Sequence, residues 1–340
     1  MVTELLPNSV YIFLVKANNK AGEGIASEKY AVRTLPEGAA AMTPWELMVD
    51  DRSGKVYYSH KRSKAIAWML PKGALIDESE SFRNKKAWLT KRLACRSEEV
   101  RMSKNMLDSN GNLLFHSTKI CVDRGDVMEQ SLALLHRLPP ADMIAGPVRV
   151  TFTGEEGIDA GGVAKDWFQE LMRKITEGTV GLMKSTETGV HIDIRASEIH
   201  GSDTRWLFKS LGVLIAKAII DNQILGVSFS PLFLTLLKGS TPQLEDLLYS
   251  DPEFYNGLKW IEDNNVENAD LPFSASYEDM FGESKTVVIG DFGENTKVTE
   301  DNKKEYISLM VEWLCRRRYE PCLSHLYNGF YSLMREGDLK

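Results

Sequence analysis

At 340 residues, 43% of them hydrophobic and 26% charged, the chain has the composition of an ordinary globular protein with room for two or three cores. Its longest weakly polar run, Ile224 to Leu237, is broken by Pro231 and three hydroxyl residues, so it falls short of the roughly 18 apolar residues of a spanning helix. With a net charge of −7, no secretory signal layout and no CxxC pair among Cys95, Cys121, Cys315 and Cys322, a reducing cytoplasmic or nuclear setting is expected, without a disulfide frame or zinc ribbon.

The first strands come early. Tyr11, Phe13 and Val15 alternate, and Tyr30 and Val32 alternate beyond an Asn-Lys-Ala-Gly turn. Residues 1–36 resemble the last two strands of a fibronectin type III module. A lone hairpin is marginal in water, so the chain is expected to begin inside a domain.

Residues 43–72 carry Trp45, Gly54, Tyr57, Tyr58, Trp68 and Pro71 and resemble a WW module. The resemblance implies a three-stranded sheet with Trp45 under Pro71. Tyr57 and Trp68 would then line a slot for proline-rich, polyproline II ligands. Lys61 stands where that family usually has His and Ile66 where it usually has Thr. Ligand binding and a purely structural role therefore both stay open.

From about Phe82 the text turns mainly helical, so the fold class is α+β, predominantly helical. WLTKRLACRSEEVRM reads as a basic helix within a stretch, Arg52 to Lys104, that holds 14 Lys/Arg against 5 Asp/Glu. Without a nucleic-acid motif this is expected to be a solvated face. DVMEQSLALLHRL is a second helix, closed by Pro139 and Pro140.

Residues 148–174, VRVTFTGEEGIDAGGVAKDWFQELMRK, put a strand pattern (Val148, Val150, Phe152) before a glycine-rich turn and a helix with Trp167, Phe168 and Leu171 on one face. Gly154, Gly157, Gly161 and Gly162 point to positive φ or close backbone approach. Helix-opening amides hold anions, but Glu155, Glu156 and Asp159 repel phosphate, and GxxxxGK[ST] is absent. The residues alone leave a structural turn and a catalytic one open. SDTRWLFKSLGVLIAKAIIDNQ is a further helix, with Ser202 or Asp203 as cap and Leu207, Leu211, Leu214, Ile215 and Ala218 as its core stripe.

The turn, with Lys165 and Asp166 before Trp167-Phe168, resembles the hallmark of the HECT ubiquitin-ligase domain. ICVDRGDVMEQS, the FKSLGVLIAKA helix, DMFGE, KVTEDNKKEY and HLYNGFYSLM follow the same family in the same order. The resemblance covers residues 80–340. It implies the N-terminal lobe of the domain, which recruits a ubiquitin-conjugating enzyme, and a separate lobe whose cysteine carries ubiquitin as a thioester to protein substrates. That cysteine sits in a Thr-Cys-Phe context, expected beyond Lys340, so the chain by itself is expected to be inactive and to need no cofactor.

Within a subdomain at about 240–305, the resemblance carries the conjugating-enzyme groove onto Phe254, Leu258, Ile261, Phe273 and Tyr306. Positions 254, 258 and 261 share one helix face. The segment from Ser240 to Glu300 holds 14 Asp/Glu against 3 Lys, an acidic rim suited to a basic partner. Cys315, Cys322 and His325 fall on one face if the last helix is continuous, but buried cysteines usually serve as small apolar residues, and no metal is expected. The rival reading is a non-catalytic adaptor that binds through the WW-like module. Nucleic acid is not expected as a partner.

Overall fold

The structure, a computed structural model, describes residues 45–51, 54–70, 74, 76–155, 162–178, 180–278, 281–290 and 296–339, together with strand backbone at 10–13, 16–19, 22–26 and 30–33. The chain divides into two compact units, residues 1–92 and 93–340.

In the first unit, β1 (Val10–Phe13) pairs antiparallel with β4 (Tyr30–Arg33), and β2 (Lys16–Asn19) with β3 (Gly22–Ala26). The predicted hairpin therefore forms as two short ladders. Its side chains, among them Tyr11, Phe13, Tyr30 and Val32, lie outside the described residues, as do Val15 and Pro71. A second, three-stranded antiparallel sheet follows, with order β5 (Trp45–Val49), β6 (Val56–His60), β7 (Ile66–Ala67). Its β5 edge is not left open. Helix α1 (Glu78–Ser103) offers Ser81 Oγ to the Leu47 N–H at 3.0 Å, and Asn84 donates to the Leu47 carbonyl at 3.1 Å. Side chains of a helix thus satisfy backbone groups that would otherwise invite another strand.

The second unit is built around two strands and a central helix. β8 (Thr118–Val122) and β9 (Val148–Phe152) pair in parallel, from Thr118 opposite Val148 to Val122 opposite Phe152. In each the odd-even alternation buries three residues and exposes two. Helices α2 (Val127–Arg137) and α3 (Pro140–Ala145) make the crossover between them. Helix α4 (Gly162–Ile175) leaves β9 and buries Trp167, Phe168 and Leu171 as its pattern predicts. The indole N–H of Trp167 donates to Ser131 Oγ at 2.8 Å, so the buried ring keeps its hydrogen bond.

A hairpin, β10 (Met183–Thr186) and β11 (Gly189–Ile192), and the short α5 (Ala196–His200) lead into α6 (Thr204–Ile220). The predicted stripe Leu207, Leu211, Leu214, Ile215 and Ala218 is buried, but so are Ser210, Gly212 and Lys217 on other faces. Neither Ser202 nor Asp203 caps α6 with its side chain. Both lie in a 3₁₀ turn whose helical backbone runs directly into it.

Helices α7 (Pro231–Leu237), α8 (Leu247–Ser250) and α9 (Pro252–Asp263) come next, then the hairpin β12 (Ser274–Glu278) and β13 (Ser284–Val288). Helices α10 (Lys303–Cys315) and α11 (Glu320–Leu333) complete the unit, and α11 packs along α6. Tyr327 and Tyr331 on α11 donate their hydroxyls to the Leu236 and Leu237 carbonyls, closing the C-terminus of α7. Arg96 makes a buried two-pronged pair with Asp338 at 2.8 and 3.1 Å, tying the second half of α1 to the turn after α11.

His191 on β11 is 7% exposed; it shares a hydrogen bond with Ser230 Oγ at 3.1 Å, and its ring meets the edge of Tyr319. Burial, and then the Arg318 cation, push its pKa down to about 4. A folded pKa below the unfolded one gives stability that is present above pH 6.5 and lost as pH falls toward 4. The expected loss across that window is roughly 3 kcal/mol. Urea midpoints measured at both ends should show it, and His191→Leu should flatten the slope.

Candidate functional site

Helix α9 starts because Pro252 fits its first turn and Asp251 accepts the Phe254 N–H. Leu258 and Ile261 are buried on its inner face, while Phe254 remains 38% and Trp260 53% exposed. Those residues border an open cavity of about 590 Å³, whose lining also includes Gly257, Ala269, Leu271, Tyr306 and Met310, with Glu253 at the wall. The walls come from three places: one face of α9, the segment after it, and the start of α10. Large apolar side chains left in solvent around a concave apolar lining mark a surface built for a partner.

Four of the five residues predicted for the groove, Phe254, Leu258, Ile261 and Tyr306, meet there. Phe273 does not reach the surface. It is 1% exposed and stands edge-on to Tyr306, with ring centroids 5.2 Å apart, supporting that ring from behind. Burial raises the Tyr306 pKa above its usual value, so its hydroxyl stays neutral as part of the groove wall. Sequence reading missed Ala269, Leu271 and Met310. Met310 lies one turn beyond Tyr306 on α10, a signal that was available; the other two arrive from a segment without periodicity.

The glycine-rich turn is described at Gly154, with φ +81°, and at Glu155 and Gly162, whereas Glu156, Gly157, Asp159 and Gly161 lie outside the described residues. Glu155 and Asp166 both accept from Arg124, the latter at 2.7 Å, and the guanidinium lies over the Phe152 ring at 3.8 Å. Those two carboxylates clasp the β8–α2 corner to the β9–α4 corner.

In the first unit the Tyr57 and Trp68 rings stand 6.0 Å apart at 66°, with Trp68 65% exposed. Trp45 meets His60 at 5.2 Å. Lys61 donates to Asp77 at 2.6 Å and Ile66 faces solvent.

Cys315 and Cys322 are buried on two helices, α10 and α11, separated by a 3₁₀ turn at 317–319. The continuous face expected for Cys315, Cys322 and His325 therefore does not exist. Burial pushes both thiols up to about 12, which removes them as nucleophiles. Cys95 and Cys121 are exposed. Among the described residues no three His, Cys, Asp or Glu side chains gather as a metal would require, and no helix is long and apolar enough to cross a membrane.

The family model described as HECT-domain (ubiquitin-transferase) matches residues 169–340, just over half of the chain. The chain is 31% identical over 278 residues to the E3 ubiquitin-protein ligase UPL1 of Arabidopsis thaliana, covering 80% of this chain and 7% of that protein. It is 26% identical over 309 residues to the E3 ubiquitin-protein ligase Nedd-4 of Drosophila melanogaster, covering 88% of this chain and 28% of that one. The E3 ubiquitin-protein ligase pub3 of Schizosaccharomyces pombe is 28% identical over 302 residues, covering 88% and 36%. The chain thus spans from 7% to 36% of the length of these relatives. With a match that covers just over half of the chain and runs through α11, the chain belongs to the HECT-domain (ubiquitin-transferase) family.

Proposed function

We propose that this chain recruits a ubiquitin-conjugating enzyme for a HECT-type ligase, in the cytoplasm or nucleus, through the groove between α9 and α10. The observation that carries the reading is the groove itself: exposed Phe254 and Trp260 flank an apolar lining able to take one aromatic side chain from a loop of the partner. Acidic residues around it, Glu253, Glu262 and Asp263 on α9 among them, suit a basic partner surface. Ubiquitin would pass through a thioester cysteine to a protein substrate, a role that does not suit Cys315 and Cys322, which are buried and held protonated. The aromatic pair Tyr57–Trp68, on a three-stranded sheet, supports a WW-like module at 43–72, and the hairpin at 10–33 supports a partial fibronectin type III module.

Phe254→Ala or Tyr306→Ala is expected to weaken binding of the conjugating enzyme by more than about 1 kcal/mol, as loss of an interface anchor does. Calorimetry on each variant reads this directly. Unchanged affinity in both would sink the groove reading.

A further inference from the structure

The parallel ladder β8–β9 leaves one of its faces open. Parallel strands are almost always covered on both faces, because their crossovers lay helices over them. Here the inner face, with Ile120, Val122, Val150 and Phe152, is buried. On the outer face Lys119, Cys121, Arg149 and Thr151 are all exposed. Among the described residues, the layer that such a sheet ordinarily carries on that side is missing.

The open face also carries charge of one sign. The register sets Lys119 directly opposite Arg149, on strands about 4.8 Å apart. Like charges placed opposite one another across two strands lower stability, so the pair is poorly explained by folding alone. Among the described residues no carboxylate lies within ion-pair distance of either cation. Arg149 leans instead on the ring of Phe115, 5.5 Å from its centroid, and that ring is 67% exposed. The segment that presents Phe115 is held in place. Leu114 donates its N–H to the Met106 carbonyl, and Arg101 donates to the Leu114 carbonyl at 3.2 Å. A fixed aromatic ring and two unopposed cations thus form one patch.

We propose that the outer face of β8–β9 docks an acidic amphipathic helix of a partner protein. Carboxylates one helical turn apart meet Lys119 and Arg149, and an apolar side chain covers Phe115. Side chains at i and i+4 stand about 5–6 Å apart on a helix, which fits the spacing of neighbouring strands. A helix also supplies the layer that a parallel sheet lacks here. A second copy using this same face would set four cations against one another. Nucleic acid draws its affinity from many phosphate contacts, whereas this face has two cations on a chain of net charge −7. The partner is opposite in sign to the one that suits the acidic α9–α10 groove, and the proposal does not depend on that groove.

The probe is a blocked, alanine-based helical peptide of about 18 residues, with Glu pairs at i, i+4 and leucines on the same face, run against a twin with every Glu replaced by Gln. Calorimetry on the full chain gives affinity, and the backbone amide signals of Lys119, Cys121 and Thr151 give location. The Glu peptide is expected to shift those signals and to bind at least about tenfold tighter than its twin, the effect of one charge-assisted contact. Lys119→Gln and Arg149→Gln, both at exposed positions, are each expected to erase most of that preference. The urea midpoint of Lys119→Gln should stay level or rise, because a like-charge pair has been relieved. A fall in that midpoint would make the cation structural and count against the proposal. Equal binding of the two peptides, a preference that survives both substitutions, or no shift up to about 5 mM would overturn it. Tighter binding of an oligothymidylate at the same signals would overturn it in favour of nucleic acid. Self-association in sedimentation that Lys119→Gln abolishes would overturn it in favour of the acidic segment of a second copy.

Discussion

Gly329→Ala is expected to prevent stable folding of the second unit. Helices α6 and α11 cross with backbone against backbone, and each contributes a glycine to the crossing. A Cβ at Gly329 would be driven into the Lys209 carbonyl, and one at Gly212 into the Leu326 carbonyl, 2.7 Å from the Phe330 nitrogen. Neither obstacle is a side chain that can turn away. Relief requires the helices to part, and Leu211, Leu214, Leu326 and Phe330 around the crossing are essentially fully buried. The cost is put at about 4 kcal/mol or more, beyond ordinary overpacking and a large share of the roughly 5–15 kcal/mol that holds a domain together. Denaturant unfolding of Gly329→Ala and Gly212→Ala measures it. Near-wild-type midpoints in both would mean that the helices do not meet at this distance.

Lys217→Met is expected to cost about 3–5 kcal/mol, the penalty for stranding a buried charge. The Lys217 ammonium is completely buried and donates to the Met143 and Gly146 carbonyls and to Asp221 Oδ1, each at 2.7 Å. Asp221 Oδ2 in turn accepts the Val148 N–H at 3.0 Å. One cation therefore joins the end of α6 to the end of α3 and the first residue of β9. Burial pulls Lys217 below its usual range and lifts Asp221 above its own, and each charge opposes that drift in the other. Lys217→Met combined with Asp221→Leu should recover part of the loss, because it removes both charges together. Equal stability of the single and double variants would refute a coupled pair.

What the sequence made legible follows from periodicity. Alternation placed β9, and 3.6-residue spacing placed the inner face of α4 and the core stripe of α6; the strip of Phe254, Leu258 and Ile261 came from the family resemblance, with a spacing that fits one helix face. Spacing does not tell where two distant segments touch. Gly212 and Gly329 stood in recognisable motifs, yet only the crossing explains why neither tolerates a Cβ. Arg96 and Asp338 lie 242 positions apart, and nothing in either neighbourhood names the other. The resemblance put Phe273 in the groove wall, and nothing in its neighbourhood showed that it lies beneath Tyr306 instead. Cys315 and Cys322 looked coaxial until Arg317–Tyr319 tightened into a 3₁₀ turn between two helices. The charge of Glu155, which argued against phosphate, has a positive use that the sequence did not disclose, since Glu155 and Asp166 both hold Arg124.

The most direct test of the proposed function is an NMR titration of the isotope-labelled chain with a panel of ubiquitin-conjugating enzymes. The account predicts micromolar binding by at least one of them, with shifts concentrated at Phe254, Gly257, Trp260, Leu271 and Met310 and lost when the partner's loop aromatic is replaced by alanine. Absence of binding across the panel, or shifts that leave the α9–α10 groove untouched, would contradict it.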